Sequence, residues 1–400
     1  TATADGLFAM ADILQLDPQT QEWNLYEVKS TSELQEGHLH DVCFQMIAFK
    51  KAGYTMGKLH LIHINSNYVR QGEIDAHSFL IIEDITERVY ALEAEVLTQI
   101  TAAKQVEHSA DIPSCDGCTC FPKDCHCHQY CYPDLPAYSV FNLNRIKGPQ
   151  ARSLYRAGIR NLLDLPADYK VTLAQSCQLQ VARTGKPIID ADKIRAELGN
   201  ITYPITFLDY ETFFPAIPLF DGYKPYQQMV FQYSVHTLTE DGQLNHFECL
   251  ARTLENPVIE VSRCLQECCP QTGTVIVWNK SFEMARNEEM AALMPDYSVF
   301  LTSLNGRVFD LMEIFRKQYY VHPDFRGSCS IKKVLPVLVP ALSYKDLEIQ
   351  EGGTASLTWY RMLTDGRSES EKQKACAAML AYCKLDTLAK VEVFKYLRSL

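Results

Sequence analysis

Nothing in the 400 residues approaches the roughly 18 consecutive apolar positions needed to cross a bilayer. The N-terminus also lacks the basic-then-apolar order of a signal peptide. The expectation is a cytoplasmic protein with no membrane contact. There is no internal repeat and no low-complexity tract, which sets repeat architectures and disordered chains aside. Positive charge is in deficit: 38 Lys and Arg against 49 Asp and Glu leave a net charge of −11, so a non-specific basic coat for nucleic acid is not expected. Clustered active-site carboxylates would supply part of that excess and bind metal, so net charge alone does not choose a function. An initiator Met is missing too. TATADGLFAMADILQL enters strand-like pattern at once, and the chain is expected to begin inside a domain.

What is present is 47% apolar and 22% charged, the balance of a soluble globular protein. Four hundred residues exceed one ordinary core and predict two or three domains. Residues 1–110 read as strand, strand, helix, strand, strand, helix, an α/β pattern that starts with FAMADILQL and WNLYEVKS. Residues 111–137 hold SCDGCTCFPKDCHCHQYCYP, whose Cys, Pro and Gly leave little room for regular structure. Residues 138–200 are expected to form a helical linker around a Gly-Pro turn in NRIKGPQARSLYRAGIRNLLDL, either a plain packing hairpin or a helix-hairpin-helix-like element. From 201 to 400 three antiparallel strands are expected (ITFLDYETF, MVFQYSVHTL, LNHFECLAR). A helix over 256–269, a buried strand TVIVWN, helices over SFEMARNEEMAALM and VFDLMEIFRKQY, and a long terminal helix follow. That order matches an RNase H-like layered α/β fold.

In LDYET two acids alternate with apolar neighbours, so on a strand Asp209 and Glu211 face one side. Like charges side by side call for a cation or a proton, and Mg²⁺ or Mn²⁺, which prefer oxygen ligands, fit. In VIVWNKSFE a buried strand ends at Asn279, and Glu283 follows at a helix start. On the terminal helix Tyr382 and Asp386 stand four apart and share a face. The ordered set DYE, NKSFE, YCKLD resembles the DnaQ-like exonucleases of the DEDDy type over residues 201–400. The resemblance implies 3′→5′ exonuclease activity in which Asp209, Glu211, Glu283 and Asp386 hold two divalent ions about 4 Å apart, with Tyr382 orienting the attacking water. Glu283 stands where that pattern usually has Asp, one methylene longer.

Asp12 is followed fifteen residues later by Glu27-Val28-Lys29, which puts Glu27 and Lys29 on one strand face, and Asp41 and Gln45 then share a helix face. Two acids can hold a metal while the ammonium positions water or stabilises charge in phosphodiester cleavage. The pattern D…ExK…Q resembles the PD-(D/E)XK nucleases of the RecB type, and the resemblance implies roles for Asp12, Glu27, Lys29 and Gln45.

Of fifteen Cys, six fall between Cys115 and Cys131. In an intracellular chain such a cluster points to metal rather than to disulfides. RecB-type, Cas4-like nucleases often follow their core with cysteines that hold an iron–sulfur cluster together with one Cys upstream, which is not in this chain. The resemblance implies a [4Fe–4S] cluster on Cys120, Cys125 and Cys131, with Cys115, Cys118 and Cys127 as further candidates and zinc as the alternative. His126 and His128 could also ligate.

The run of EVKSTS, the Cys knuckle, LYRAGIRNLLDLP, FLDYETFFPAIPLFDGYKPYQQMVFQYS and GSCSIKKVLPVL resembles, over nearly all the chain, a bacterial family of RecB-type nucleases fused to an RNase H-like exonuclease. The expected function is a metal-dependent DNA-processing nuclease with two centres, taking single strands or duplex ends in DNA repair or phage defence. The alternatives are a catalytically weakened nucleic-acid-binding platform and an RNA-trimming exonuclease, since no element reads a 2′-hydroxyl. No protein partner is indicated. Basic residues at Arg145, Lys147, Arg152, Arg156 and Arg160, and Ser328, Ser330, Lys332 and Lys333, are candidates for phosphate contact or for solvated surface.

Overall fold

In a computed structural model of the chain, residues 1–109 and 125–400 are described. They form a mixed α/β structure of two compact units. One takes the described part of Thr1–Ser114 together with Phe214–Gln227, and the other takes the described part of Cys115–Phe213 together with Gln228–Leu400.

The first unit begins with a hairpin, β1 (Ala2–Ala4) and β2 (Leu7–Ala9). Asp5 and Gly6, at φ 56° and 72°, make the tight turn that such a hairpin prefers. A four-stranded sheet follows in the order β3 (Ile13–Leu16), β4 (Trp23–Lys29), β5 (Met56–Ile64), β6 (Leu80–Asp84). Strands β4 and β5 are parallel, and the helix Glu36–Lys51 makes the crossover between them. That helix buries Leu39, Val42, Met46 and Phe49 in a core shared with Leu25, Leu59 and Leu61, which the helix Thr86–Glu107 closes with Val89 and Val96. The expected single strand FAMADILQL is two strands, β2 and β3, separated by Met10–Asp12. The break is local competition for a donor. The Asp12 carboxylate accepts the Val28 N–H at 2.8 Å, taking a β4 donor that a longer β3 would have used. The segment Phe214–Gln227 interrupts the second unit in sequence and is held to the first, where Arg70 donates to the carbonyls of Pro218 (2.9 Å) and Leu219 (2.6 Å).

The second unit is built on a five-stranded sheet. After a short β7 (Ile188–Ile189) come β8 (Ile205–Phe213), β9 (Met229–Leu238), β10 (Leu244–Leu250), β11 (Val275–Val277) and β12 (Val308–Asp310), ordered β10-β9-β8-β11-β12. β8, β9 and β10 are an antiparallel meander, as the sequence predicts, and β11 runs parallel to β8 and β12. A last short strand, β13 (Tyr320–Val321), pairs with β7. β9 is buried at every position, as expected of a strand covered on both faces. The helix Gly352–Thr364 is locked on by Trp359, which is fully buried, stacks on Phe231 at 4.8 Å and donates its indole N–H to the Ala251 carbonyl at 2.8 Å. Losing that ring would cost about 3–5 kcal/mol. The terminal helix Glu369–Arg398 packs along β8 and β9, with Phe394 edge-on to Phe207 at 5.7 Å.

Two local expectations are corrected. VFDLMEIFRKQY is not one helix, because Val308–Asp310 is strand β12 and only Glu313–Arg316 is helical. The strand places Asp310, whose carboxylate accepts the N–H groups of Asn279 (3.0 Å), Lys280 (3.1 Å) and Met312 (3.1 Å), and one helical rod could not reach the first two. Gly148-Pro149 is likewise not a turn between helices but the start of the helix Gly148–Arg156, where proline's missing N–H costs nothing. The chain reverses at Gly158, φ 87°.

Candidate active site

β8 brings Asp209 and Glu211 to one face of the sheet, and a register irregularity after Glu211 re-aims the strand at that point. The terminal helix places Tyr382 and Asp386 against that face, and Tyr382, Glu211, Asp386 and Glu283 are all buried. Glu283 sits in the first turn of the helix Lys280–Leu293, which begins directly after β11. Asn279 starts that helix at φ 93°, a left-handed conformation that Asn tolerates better than most side chains. The Asp310 carboxylate on the first two N–H groups fixes the helix start.

The five residues expected to act together in the C-terminal half therefore do meet, and the structure adds partners. Lys390, 1% exposed, donates to the Leu208 carbonyl at 2.6 Å and ion-pairs with Asp209 Oδ1. The Tyr344 hydroxyl donates to Asp386 Oδ1 at 2.7 Å and so fixes that carboxylate. Lys332 stands 5.2 Å from the Tyr382 ring centre and 5.7 Å from that of Tyr344. Gly352 lies so close to Glu211 that an added Cβ would be 3.3 Å from Oε2. Lys390 had a sequence signal, since Tyr382, Asp386 and Lys390 repeat every four residues along one helix face. Tyr344 and Asp310 had none.

The electrostatics are those of a site short of positive charge. Burial, then the charges of Asp209 and Asp386, raise Glu211 well above the usual carboxylate range. Burial pushes Glu283 up to about 8, partly offset by Lys390. Burial and Asp209 push Asp386 up to about 7. Burial pulls the Lys390 ammonium down, but Asp209 and Glu283 outweigh it and keep it above its ordinary value. The second oxygen of Glu283 is buried and has no hydrogen-bond partner among the described residues. Oxygens of Asp209 and Glu211 lie within 4.8 Å of each other and of Cys383 Sγ. Four carboxylates with one fully buried ammonium among them, and an orphaned oxygen, are a donor set that a hard divalent cation fits.

In the first unit the predicted group also assembles. Glu27 is buried on β4, with Oε1 2.5 Å from Lys29 Nζ and Oε2 accepting from Gln45 Nε2 at 2.8 Å. Lys29 reaches Asp41 Oδ2, also at 2.5 Å. Burial pulls Lys29 down, but its bonds to Asp41 and Glu27 outweigh that and raise it. Asp12 is exposed and enters through its bond to the Val28 N–H beside Glu27.

Of the expected cluster ligands, Cys115, Cys118 and Cys120 lie outside the described residues. Cys125 and Cys131 are half-buried and Cys127 is exposed. Where irregular chain was expected there is one helical turn, His128–Cys131, and Cys131 and Tyr132 pack into a core with Phe141 and Leu154.

Comparison with known proteins gives one family model, a domain of unknown function (DUF2779), matching residues 206–330, or 125 of the 400 residues. The chain is 26% identical over 216 residues to uncharacterized protein UU173 of Ureaplasma parvum, a match covering 48% of this chain and 31% of that one. It is 26% identical over 234 residues to the MG366 homolog of Mycoplasma pneumoniae, 54% of this chain and 35% of that one. The matches thus span about a third of these relatives' length. Among solved structures, the family B DNA polymerase of Pyrobaculum calidifontis aligns over 49% of this chain and 24% of its own at 12% identity, with a TM-score of 0.29. The family match takes in Asp209, Glu211, Glu283 and Asp310 and stops short of Tyr382, Asp386 and Lys390.

Proposed function

We propose that the second unit is a divalent-cation-dependent 3′→5′ exonuclease with an RNase H-like fold, acting on DNA. The observation that supports this is the convergence of half-buried Asp209 with buried Glu211, Glu283 and Asp386, from three separate elements, around the buried Lys390. Asp209, Glu211 and Asp386 would hold one Mg²⁺ or Mn²⁺, and Asp209 with Glu283 a second. Such ions would supply charge neutralisation at the phosphate and a more acidic water. The chain's own groups do the rest. Tyr344 keeps Asp386 in one rotamer, Tyr382 orients the water that attacks phosphorus, and the 3′ oxygen of the preceding nucleotide leaves, releasing a nucleoside 5′-monophosphate. The first unit, with Asp12, Glu27, Lys29 and Gln45, is proposed as a PD-(D/E)XK-type second centre, and the cysteines as ligands of a [4Fe–4S] cluster or of zinc.

One observation favours a second reading. The Lys390 ammonium already occupies the side of Asp209 that another cation would need, as in a nuclease fold weakened into a nucleic-acid-binding platform.

Time-resolved digestion of 5′-labelled single-stranded and duplex DNA, with matched RNA, in Mn²⁺ decides between them. The expected result is a 3′ ladder on DNA that Asp209→Ala with Asp386→Ala abolishes, while Glu27→Ala with Lys29→Ala leaves the ladder in place. No cleavage by the wild type with any metal would leave the binding platform, and faster digestion of RNA would change the substrate.

A further inference from the structure

A cavity of about 720 Å³ lies within the second unit between the segments Asn142–Arg145 and Arg326–Ser330. Its wall includes Arg145, Arg316 and Arg326 and, among the described residues, no Asp or Glu. In a chain where acids outnumber Lys and Arg 49 to 38, that is a local reversal of sign. Arg316 spends one N–H on Glu313 at 2.6 Å, while Arg145 and Arg326 are exposed and make no ion pair among the described residues. Arg145 and Arg316 both act on the thiol of Cys329, where they oppose a rise caused mainly by burial, so the two guanidiniums address one region. Amides and hydroxyls of Asn144, Gln175, Gln318 and Ser328 line the same space.

The walls are tied together. Gln178, buried, accepts from the Asn144 N–H at 2.7 Å and donates to the Asn142 carbonyl and to the Tyr138 hydroxyl, both at 2.9 Å. Gly327, φ 76°, lies against that amide, where a Cβ would come within 2.6 Å of it, and its carbonyl accepts from Asn144 Nδ2 at 2.5 Å. A rigid, uncharged frame with guanidiniums at its mouth suits an anion bound through its oxygens. The cavity is also joined to the carboxylate cluster. The Cys329 carbonyl accepts from the Trp278 indole at 3.1 Å, one residue before Asn279, and Ser330 starts the helix Ile331–Leu338, which carries Lys332 above Tyr382. Ser330 and Lys332 are two residues apart, at most about 7 Å of backbone.

We propose that this cavity is a phosphodiester-binding subsite that grips the backbone of single-stranded nucleic acid a short distance from the end held at the carboxylates. The assignment rests on the nuclease reading for its ligand, but it is tested without catalysis. The experiment is fluorescence anisotropy of a labelled oligothymidylate, in EDTA and over a series of salt concentrations, with the full chain. Arg145→Gln combined with Arg326→Gln is expected to weaken binding about tenfold or more and to lower the salt slope by about two. Arg263→Gln, which removes an exposed arginine on the helix Pro257–Cys268, leaves both values unchanged. Affinity and slope within twofold of wild type in the double variant, or no binding by wild type, overturns the subsite. Displacement of the strand by sub-millimolar inorganic phosphate also overturns it, in favour of a free-anion site. A wild type that binds in this way yet cuts nothing in Mn²⁺ upholds the subsite and removes the exonuclease reading alone.

Discussion

Lys390 and Asp209 form an ion pair inside the second unit, with the lysine side chain 1% exposed and its ammonium also bonded to the carbonyl of Leu208, next in line on the same strand. The terminal helix is thereby tied to β8 through the residue that would hold a cation. Lys390→Met keeps the length and removes the charge. Breaking a buried pair by deleting one partner costs about 3–5 kcal/mol, so the metal-free variant is expected to melt well below wild type. It is also expected to gain more from Mn²⁺, because Asp209 then has no internal counter-charge. Thermal melts of both proteins in EDTA and in Mn²⁺ check this; equal Mn²⁺ gains would show that Lys390 and a cation do not compete.

The metal-free protein is expected to lose stability as pH rises. Glu283 is raised from 4.5 to about 8 and Asp386 from 3.8 to about 7, so between the unfolded and folded values the native state binds protons that the unfolded chain has released. The stability they contribute is full below the unfolded values and lost as pH climbs to about 8, at up to ~1.4 kcal/mol per pH unit for each group. Mn²⁺ should reverse the trend, since a cation binds the ionised carboxylates. Urea midpoints across this range, with and without Mn²⁺, test it, and a metal-free midpoint that rises with pH would contradict the cluster's burial.

Asp310 accepts the Asn279 and Lys280 N–H groups at the start of the helix that carries Glu283, and the Met312 N–H two residues beyond itself. Asp310→Ala is expected to cost about 1–3 kcal/mol and to weaken Mn²⁺ binding through the displaced helix start, with Asp310→Asn falling between. Urea unfolding and calorimetric Mn²⁺ titration separate the two effects. A variant destabilised by this amount but with unchanged Mn²⁺ affinity would remove Glu283 from the metal site.

For the cysteines, the expectation is a brown protein whose visible absorbance bleaches on reduction, lost in Cys125→Ser and Cys131→Ser and kept in Cys177→Ser. A colourless protein with stoichiometric zinc would replace the iron–sulfur assignment.

The carboxylates were legible because their spacings carry geometry. Asp209 and Glu211 two apart on a strand, and Tyr382 and Asp386 four apart on a helix, must share a face whatever the fold. The β9-β10 hairpin was legible for a similar reason, as a local arrangement marked by its turn residues. The strand at Val308–Asp310 was not, because three residues are too few for a period and the tertiary position of Asp310 outweighs the helical pattern that follows.

By itself, then, the sequence determined which residues share faces and where β9 turns into β10. The tertiary structure decided which of those faces meet. It alone brought Lys390 onto Asp209, Tyr344 onto Asp386 and Asp310 onto the helix of Glu283. It also set Arg145 and Arg326, 181 positions apart by subtraction, around one cavity. The physical reason is that periodicity fixes orientation within one element, whereas a charge pair or a cavity wall depends on packing between elements far apart in the chain.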